Sequence, residues 1–416
     1  MRMIKACTLP LLFVANTASA EPIKLDVTYS SNAYTSVLEQ TVAAFEKLHP
    51  DVKIKFRTPV PNTYDELLQT TLRSAAIGDL PDISLQGNQS IQILAARNLA
   101  VPLNDLIAKD PNWSGLGYAP SLDEFGQLSG ESYALAYATS VPIIYLNIDL
   151  LTKAGVTDID ALDNWDDLTA AAKKVQALGN DHVGGLFDYQ SAGNWTFQAL
   201  VTSQGKPFLT ADGSDIAFDG ESGLKALQIL RDFGKTGTVD MTQPQMLQAF
   251  ASGTVGVFAS YSAAIGKIEE VAQGRFKLKS LPWPMLTESG RLPAGGRSLV
   301  ILSHDKARQK AAWEFAKFLV GPEGQTILVK GVGAVPVNTI AIDRPDLLGD
   351  YYRANENSAT ALSSAARLTN WNPYPGADPV KVSDTVKDYL RRVLINHEDP
   401  KTVLGEMADK IDGMIH

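Results

Sequence analysis

Three short segments in the N-terminal quarter concentrate side chains that both donate and accept hydrogen bonds: Ser30–Tyr34, Thr58–Tyr64 and Gln86–Gln89. They carry Asn32, Tyr34, Asn62, Tyr64, Gln86, Asn88 and Gln89. An amide offers two donors and a carbonyl acceptor, and a tyrosine offers a hydroxyl beside an aromatic face, a set suited to a hydroxyl-rich small molecule. A further segment of this kind is Ser260-Tyr261-Ser262. Aromatic faces that could pack on the C–H face of a sugar or glycerol chain are Trp195 beside Asn194, with Trp283, Trp371 and Tyr374 in irregular, proline-containing stretches. Trp165 and Trp313 begin or line helical patterns and read as core. Asn, Gln and Tyr are also common in turns, so the types alone do not make a site.

Catalysis has little to stand on. His49, His182, His304, His397 and His416 are far apart in sequence without metal-ligand spacing, and no G-x-S-x-G, H-E-x-x-H or P-loop is present. The acidic run from Asp212 to Asp219 lacks the spacing of a calcium loop. The 46 acidic residues do not by themselves argue for the paired carboxylates of an exported glycoside hydrolase, the alternative from another class, because carboxylates abound at this net charge. The expectation is a binding protein with no enzymatic activity, no cofactor and no metal.

The elements that position these segments follow from hydrophobic periodicity. Ile23, Leu25, Val27 and Tyr29 alternate as a strand. Val37, Leu38, Thr41, Val42, Phe45 and Leu48 share a helical face, and Val52, Ile54 and Phe56 alternate again. A helix over Tyr64 to Ile77 and a strand over Asp82 to Gln86 continue the pattern. Strands alternating with helices predict an open, largely parallel α/β sheet, whose ligands bind beyond the carboxyl ends of the strands, where the polar segments lie. A second α/β region begins after Tyr137-Ala138-Thr139-Ser140-Val141-Pro142 and includes helices over Trp165 to Leu178, Leu224 to Phe233 and Ala263 to Ala272, with a strand over Thr254 to Ser260. From about Pro282 the first pattern returns, with a strand over Arg297 to Ser303 and a helix over Lys306 to Val320, and helices close the chain. The fold class is therefore α/β, with two lobes joined by a multi-stranded hinge and a ligand cleft between them. Lobe 1 is expected over 21–138 and 284–336, and lobe 2 over 139–283 and 337–416.

The first twenty residues stand apart. Arg2 and Lys5 precede the short apolar run Ala6 to Ala15, and Ala18-Ser19-Ala20 is a cleavage pattern, so residues 1–20 are expected to be an export signal. Cys7, the only cysteine, falls within it, leaving a mature chain without thiol or disulfide. Cleavage leaves 35 basic against 46 acidic residues, a net −11, which argues against a general nucleic-acid or anionic-membrane surface.

The chain resembles, over nearly all of its mature length, the extracellular solute-binding proteins of ABC importers in the maltose-binding-like class. The likeness rests on Phe45-Glu46-Lys47-Leu48-His49-Pro50, on Pro142 to Asn147 running into Leu150 and Gly155, and on Ala311 to Leu319 followed by Pro322-Glu323-Gly324-Gln325. Within the class it looks most like the branch that binds glycerol-3-phosphate and glycerophosphodiesters. That resemblance implies ligand roles for Tyr64, Ser140, Ser260 or Tyr261, the backbone at Gly295-Gly296, and Arg367. Gln89 stands where the branch has a glutamate, and Ala334 where it has a tyrosine. With Tyr34, Trp195 and Trp371 these form the expected site. The resemblance further implies a periplasmic monomer that captures a sugar or glycerol conjugate and delivers it to an inner-membrane ABC permease. A phosphate or sulfonate head group and a neutral mono- or oligosaccharide both stay open as ligands.

Overall fold

The alternating apolar residues at the start of the chain form strand β1 (Ile23–Thr28), followed by β2 (Val52–Phe56) and β3 (Ile83–Gly87). A two-residue pair, β4 (Gln127–Leu128) and β5 (Glu131–Ser132), precedes β6 (Leu135–Ser140) and β7 (Pro142–Asn147). Then come β8 (Val183–Phe187), β9 (Val255–Tyr261), β10 (Leu278–Pro282), β11 (Leu292–Pro293), β12 (Gly295–Ile301) and β13 (Leu368–Thr369). The computed structural model describes residues 21–416 apart from 120, 121, 123, 124, 129 and 180. The expected export signal and Cys7 lie outside the described residues.

Two sheets result. One has the order β2-β1-β3-β12-β6 and the other β10-β7-β9-β8. β1 runs parallel to β2 and β3, and β8 parallel to β9. β12 is antiparallel to both neighbours, as is β7. Each sheet is thus parallel but for one strand, and the exceptions have one cause. β6 ends at Ser140 and, after Val141 alone, the chain continues as β7 in the other sheet. A strand that enters a lobe from the crossing point must run outward from the cleft, against strands that run toward it. β12, which enters after the return crossing, obeys the same constraint.

Helices cover both sheets. Helix Thr35–Leu48 buries Val37, Leu38, Thr41 and Phe45 against the first, while Leu48, expected inward, is left exposed at the helix end. Helix Tyr64–Ala76 is capped by Thr63, whose Oγ accepts from Glu66 N at 3.1 Å. β8 is a strand that periodicity does not reveal, because Gly184 and Gly185 interrupt the apolar alternation. A Cβ on Gly184 would lie 2.2 Å from the Ala172 carbonyl oxygen, and one on Gly185 2.6 Å from the Phe233 ring. Helices Trp165–Gln176 and Glu221–Gly234 therefore pack directly on the strand backbone, and only glycine leaves room.

The third crossing differs from the expected boundary at 336/337. Val337 N–H and carbonyl bond to Gln325 Oε1 and Ala119 N, and the Asn338 amide donates to Leu116 and Val320 carbonyls, all in the first lobe. Ala341, Leu348 and Tyr352 pack with Val329. From Asn357, which bonds Ser280 and Leu278, the chain is hydrogen-bonded to the edge of the second sheet. The short apolar run at 335–337 straddles the hinge: the Val335 side chain packs with Ile143, Tyr145 and Ile265 of the second lobe, while its N–H bonds the Thr139 carbonyl of β6 and Val337 lies in the core of the first. Trp283 and Tyr374, considered as cleft aromatics, are core instead: Trp283 packs edge-on to Trp165 at 4.9 Å and Tyr374 against Phe208 at 5.5 Å. Among the described residues no helix is long and apolar enough to cross a membrane.

Candidate functional site

The ends of the strands at the crossing converge on one buried arginine. Arg297 is the third residue of β12, paired with Gly87 of β3 and Ala138 of β6, and only 5% of it is exposed. Its guanidinium carbon lies 3.5 Å from the centre of the Tyr34 ring and 4.8 Å from that of Tyr64. Among the described residues its side chain donates from an Nη to the Ser30 carbonyl at 3.3 Å, and Nε is buried without a partner. Burial works against its charge, but the coupling to Tyr64, Tyr34, Tyr137 and Tyr261, which would ionise only at high pH, moves its pKa up, and a guanidinium stays charged at physiological pH in any case. The group is a fixed cation in an aromatic, water-poor setting. Burial conversely pushes the Tyr64 hydroxyl up to about 12, against the pull of Arg297, so it is a neutral donor at any physiological pH.

From the facing lobe comes Asp188, immediately after β8 and fully buried. Its Oδ2 accepts from Gln243 Nε2 at 2.6 Å and from Ser260 Oγ at 3.5 Å, while Oδ1 is buried without a partner. The Tyr261 hydroxyl is raised by burial first, then by Asp188, and is lowered by Arg297, so it lies in the field of both charges. Burial pushes the Asp188 carboxyl up to about 6 from 3.8, although the bonds from Gln243 and Ser260 act the other way. Between those two values the folded chain keeps a proton the unfolded chain has released, so stability falls as pH rises through the window. We expect Asp188→Asn to lack that slope: relative to the variant, the ligand-free wild type should lose on the order of 2 to 3 kcal/mol between pH 4 and 7, measured by urea unfolding. Parallel pH profiles would show that the carboxyl titrates normally.

Around these charges, polar atoms are buried without partners among the described residues: the Tyr137 hydroxyl, Thr139 Oγ1, Asn194 Oδ1 and Trp371 Nε1. Each unsatisfied buried group costs roughly 1 to 3 kcal/mol, and native structures keep few of them, so their concentration between two lobes marks a place built to be completed by a ligand. Two residues there hold positive φ without being glycine, Ser31 at 67° and Asn194 at 53°. Such strain clusters where a binding geometry demands it. Among the described residues no three potential metal ligands converge.

The expected residues fall into groups. Tyr34 and Tyr64 stack on Arg297, and Tyr261 lies in its field. Gln89 is buried beside Asp65, whose carboxyl its amide stabilises, and Ser260 bonds Asp188. Trp371 joins the lobes, with its ring centre 6.1 Å from Tyr64 and 6.2 Å from Trp195. Trp195 is turned to the hinge: its Nε1 donates to the Pro293 carbonyl at 2.8 Å and its ring covers Gly295, where a Cβ would approach to 2.7 Å. Gly295 and Gly296 thus serve close packing at the head of β12. Ser140 faces Ser262 across the crossing at 3.2 Å, within the hinge. Arg367 does not join the cluster; it is partly exposed and donates to the Glu288 carbonyl at 2.8 Å.

Sequence reasoning missed Arg297, Asp188, Tyr137 and Thr139 as site residues. A legible signal was a lone charge inside an otherwise apolar or small-residue strand, Gly-Gly-Arg-Ser-Leu-Val-Ile. A groove of about 980 Å³ opens elsewhere between the lobes, lined by Arg97 on one side and Lys206, Arg291 and Asn372 on the other. It contains neither Arg297 nor Asp188, and the convergence of unpartnered groups favours the buried cluster.

Comparison with known proteins accords with this architecture. A family model described as bacterial extracellular solute-binding protein matches residues 40–355. The sn-glycerol-3-phosphate-binding periplasmic protein UgpB of Pectobacterium atrosepticum is 22% identical over 394 residues, covering 89% of this chain and 86% of its own. The crystal structure of UgpB from Mycobacterium tuberculosis in complex with glycerophosphocholine superposes with a TM-score of 0.81 at 19% identity, over 95% of this chain and 99% of that one. Maltose-bound MalE3 of T. maritima gives 0.78 at 20% identity, over 94% and 99%. The two lobes, the hinge formed where β6 passes into β7, and the match across three quarters of the chain place this protein in the family of bacterial extracellular solute-binding proteins, with the periplasmic-binding-protein fold.

Proposed function

We propose that the protein is the solute-capturing component of an ABC importer and that its ligand is a sugar or glycerol conjugate whose phosphate or sulfonate group is held by Arg297. The observation that carries this is the buried guanidinium with an unused Nε between two tyrosine faces. Charge-assisted bonds from guanidinium to phosphate or sulfonate oxygens are about twice as strong as neutral ones, and the fork geometry suits such a head group. Relatives named for glycerol-3-phosphate binding, and a fold neighbour holding glycerophosphocholine, lend this chemistry support.

Capture proceeds by hinge closure. Ligand held by Tyr64 and Arg297 from one lobe and by Ser260 and Tyr261 from the other makes its full contacts only when the lobes are together, so it shifts the open–closed equilibrium by its differential affinity. The closed monomer then docks on an inner-membrane permease on the periplasmic side.

A second reading, a neutral mono- or oligosaccharide binder, draws on the aromatic faces of Trp371, Tyr64 and Tyr34 and on the maltose-bound fold neighbour. A thermal-shift panel separates the two: glycerol 3-phosphate, glycerophosphocholine, a sulfonated glycoside, and maltose. A ligand at 100 times its Kd stabilises the native state by about 2.7 kcal/mol. We expect shifts confined to the anionic compounds, retained in Arg367→Ala because that side chain bonds a distant carbonyl, and lost in Arg297→Ala. A maltose shift that survives Arg297→Ala would establish the neutral reading.

A further inference from the structure

We propose that Asp188 is a second ligand-binding charge, which accepts a hydrogen bond from a hydroxyl of the ligand while Arg297 holds its anionic group, so that the cleft selects small molecules bearing an acid group and a free hydroxyl together. The inference rests on the anionic reading of the cleft given above.

The two charges come from different lobes, Asp188 from the end of β8 and Arg297 from the start of β12. Among the described residues no ion pair joins them, yet Ser260, which bonds Asp188, and Tyr261 pair with Ile143 and Pro142 at the start of β7, beside Ser140, which pairs with Gly295 two residues before Arg297, so both charges sit at the crossing. A carboxylate has about four acceptor positions, and burying it is costly unless they are used. Gln243 and Ser260 occupy Oδ2, and the main chain of Asp188 is separately held: its N–H bonds the Ala259 carbonyl, and its carbonyl accepts from Thr196 Oγ1 at 2.5 Å and Ser191 Oγ at 3.2 Å. The Gln190 N–H and the Ser191 hydroxyl also lie close enough to the carboxyl to favour its charge, yet among the described residues no donor reaches buried Oδ1 in good hydrogen-bond geometry, which leaves that oxygen open to a ligand.

The complementary group is a hydroxyl rather than an ammonium. Burying an ammonium at Oδ1 would add its own desolvation cost and the repulsion of Arg297 to whatever Asp188 returns. A hydroxyl donates to Oδ1 with no added charge, and can accept in turn from a neighbouring Tyr or Ser hydroxyl. The ionised carboxylate is the form that accepts best, and burial, which raises its pKa to about 6, leaves it ionised at pH 7.5.

The test uses two matched pairs of anions that differ only in hydroxyls: glycerol 3-phosphate against propyl phosphate, and 2,3-dihydroxypropane-1-sulfonate against propane-1-sulfonate. Titration calorimetry at pH 7.5 on wild type, Asp188→Asn and Arg297→Gln gives the ratio of affinities within each pair, in which the shared titration of the acid group cancels. Wild type should prefer the hydroxylated member by 30-fold or more, since a site built to bond a hydroxyl rejects the analogue lacking it. In Asp188→Asn, nearly isosteric, the preference should fall to a few-fold. Arg297→Gln should weaken both members together. If the anions bind and the pair ratio is the same in wild type and Asp188→Asn, Asp188 is only structural, and the anionic reading stands without it. If neither member of either pair binds wild type, the anionic reading fails and the role of Asp188 fails with it.

Discussion

Replacing Arg297 by methionine should abolish stabilisation by anionic ligands while leaving the ligand-free protein about as stable as wild type. Two terms of opposite sign set the second half of that expectation. The guanidinium is buried with a long hydrogen bond to the Ser30 carbonyl at 3.3 Å, and exchanging a buried charged group for an apolar one of similar volume is often neutral or stabilising by about 1 to 4 kcal/mol. Against this, the substitution gives up the stacking on Tyr34 and Tyr64, worth roughly 0.5 to 2 kcal/mol each when desolvated. The terms nearly cancel. Binding has no such compensation. Truncating a charge that is hydrogen-bonded across a buried interface costs about 2 to 5 kcal/mol, which is roughly 30-fold to several-thousand-fold in Kd. Thermal unfolding with and without glycerol 3-phosphate reads both quantities in one experiment. An unchanged ligand-induced shift in Arg297→Met would remove this residue from the site. A collapse of the ligand-free protein would instead make it a structural post.

Gly296→Ala should be the most damaging small substitution in the hinge. Gly296 has φ of 111°, where a side chain is strained, and a Cβ there would lie 1.9 Å from the Ala138 carbonyl oxygen on β6. The strain alone costs about 1 to 3 kcal/mol, and the contact can be relieved only by parting β12 from β6, so a loss above about 3 kcal/mol is expected. The register between these strands shifts between Arg297 and Ser298, one residue further on, so the same displacement would re-aim the guanidinium. Gly405→Ala provides the contrast. That glycine lies within helix Pro400–Ile415 with no atom within 4 Å of its would-be Cβ, so alanine should stabilise by about 0.5 to 1 kcal/mol. Urea unfolding of both variants checks the pair, and a cost below about 1 kcal/mol for Gly296→Ala would contradict the argument.

Much of the cleft was legible because of one topological fact. The carboxyl ends of β1, β3 and β9, with the loops that follow them, point to the crossing, so Tyr34, Gln89, Ser260 and Tyr261 could be gathered from periodicity alone. The same rule hid Arg297. β12 enters its sheet from the hinge and runs the other way, so its amino end, not its carboxyl end, faces the cleft. Asp188 was hidden differently: the strand before it contains two glycines demanded by helix packing, which erased the alternation that would have marked it. Arg367 shows the limit of carrying a role across a likeness. Its neighbour Leu368 pairs with Leu292 in the short ribbon of β11 and β13, and its guanidinium is taken by a main-chain carbonyl next to that ribbon.

The amino-acid sequence by itself determined that this chain forms strand–helix units in two regions, with polar turns at the strand ends, because hydrophobic periodicity and turn chemistry are local properties. Only the tertiary structure decided which charges share the cleft. Arg297 and Asp188 are 109 positions apart in sequence and belong to different sheets. Their meeting depends on strand direction at the hinge and on burial that removes water from both, and neither is encoded in the residues adjoining them.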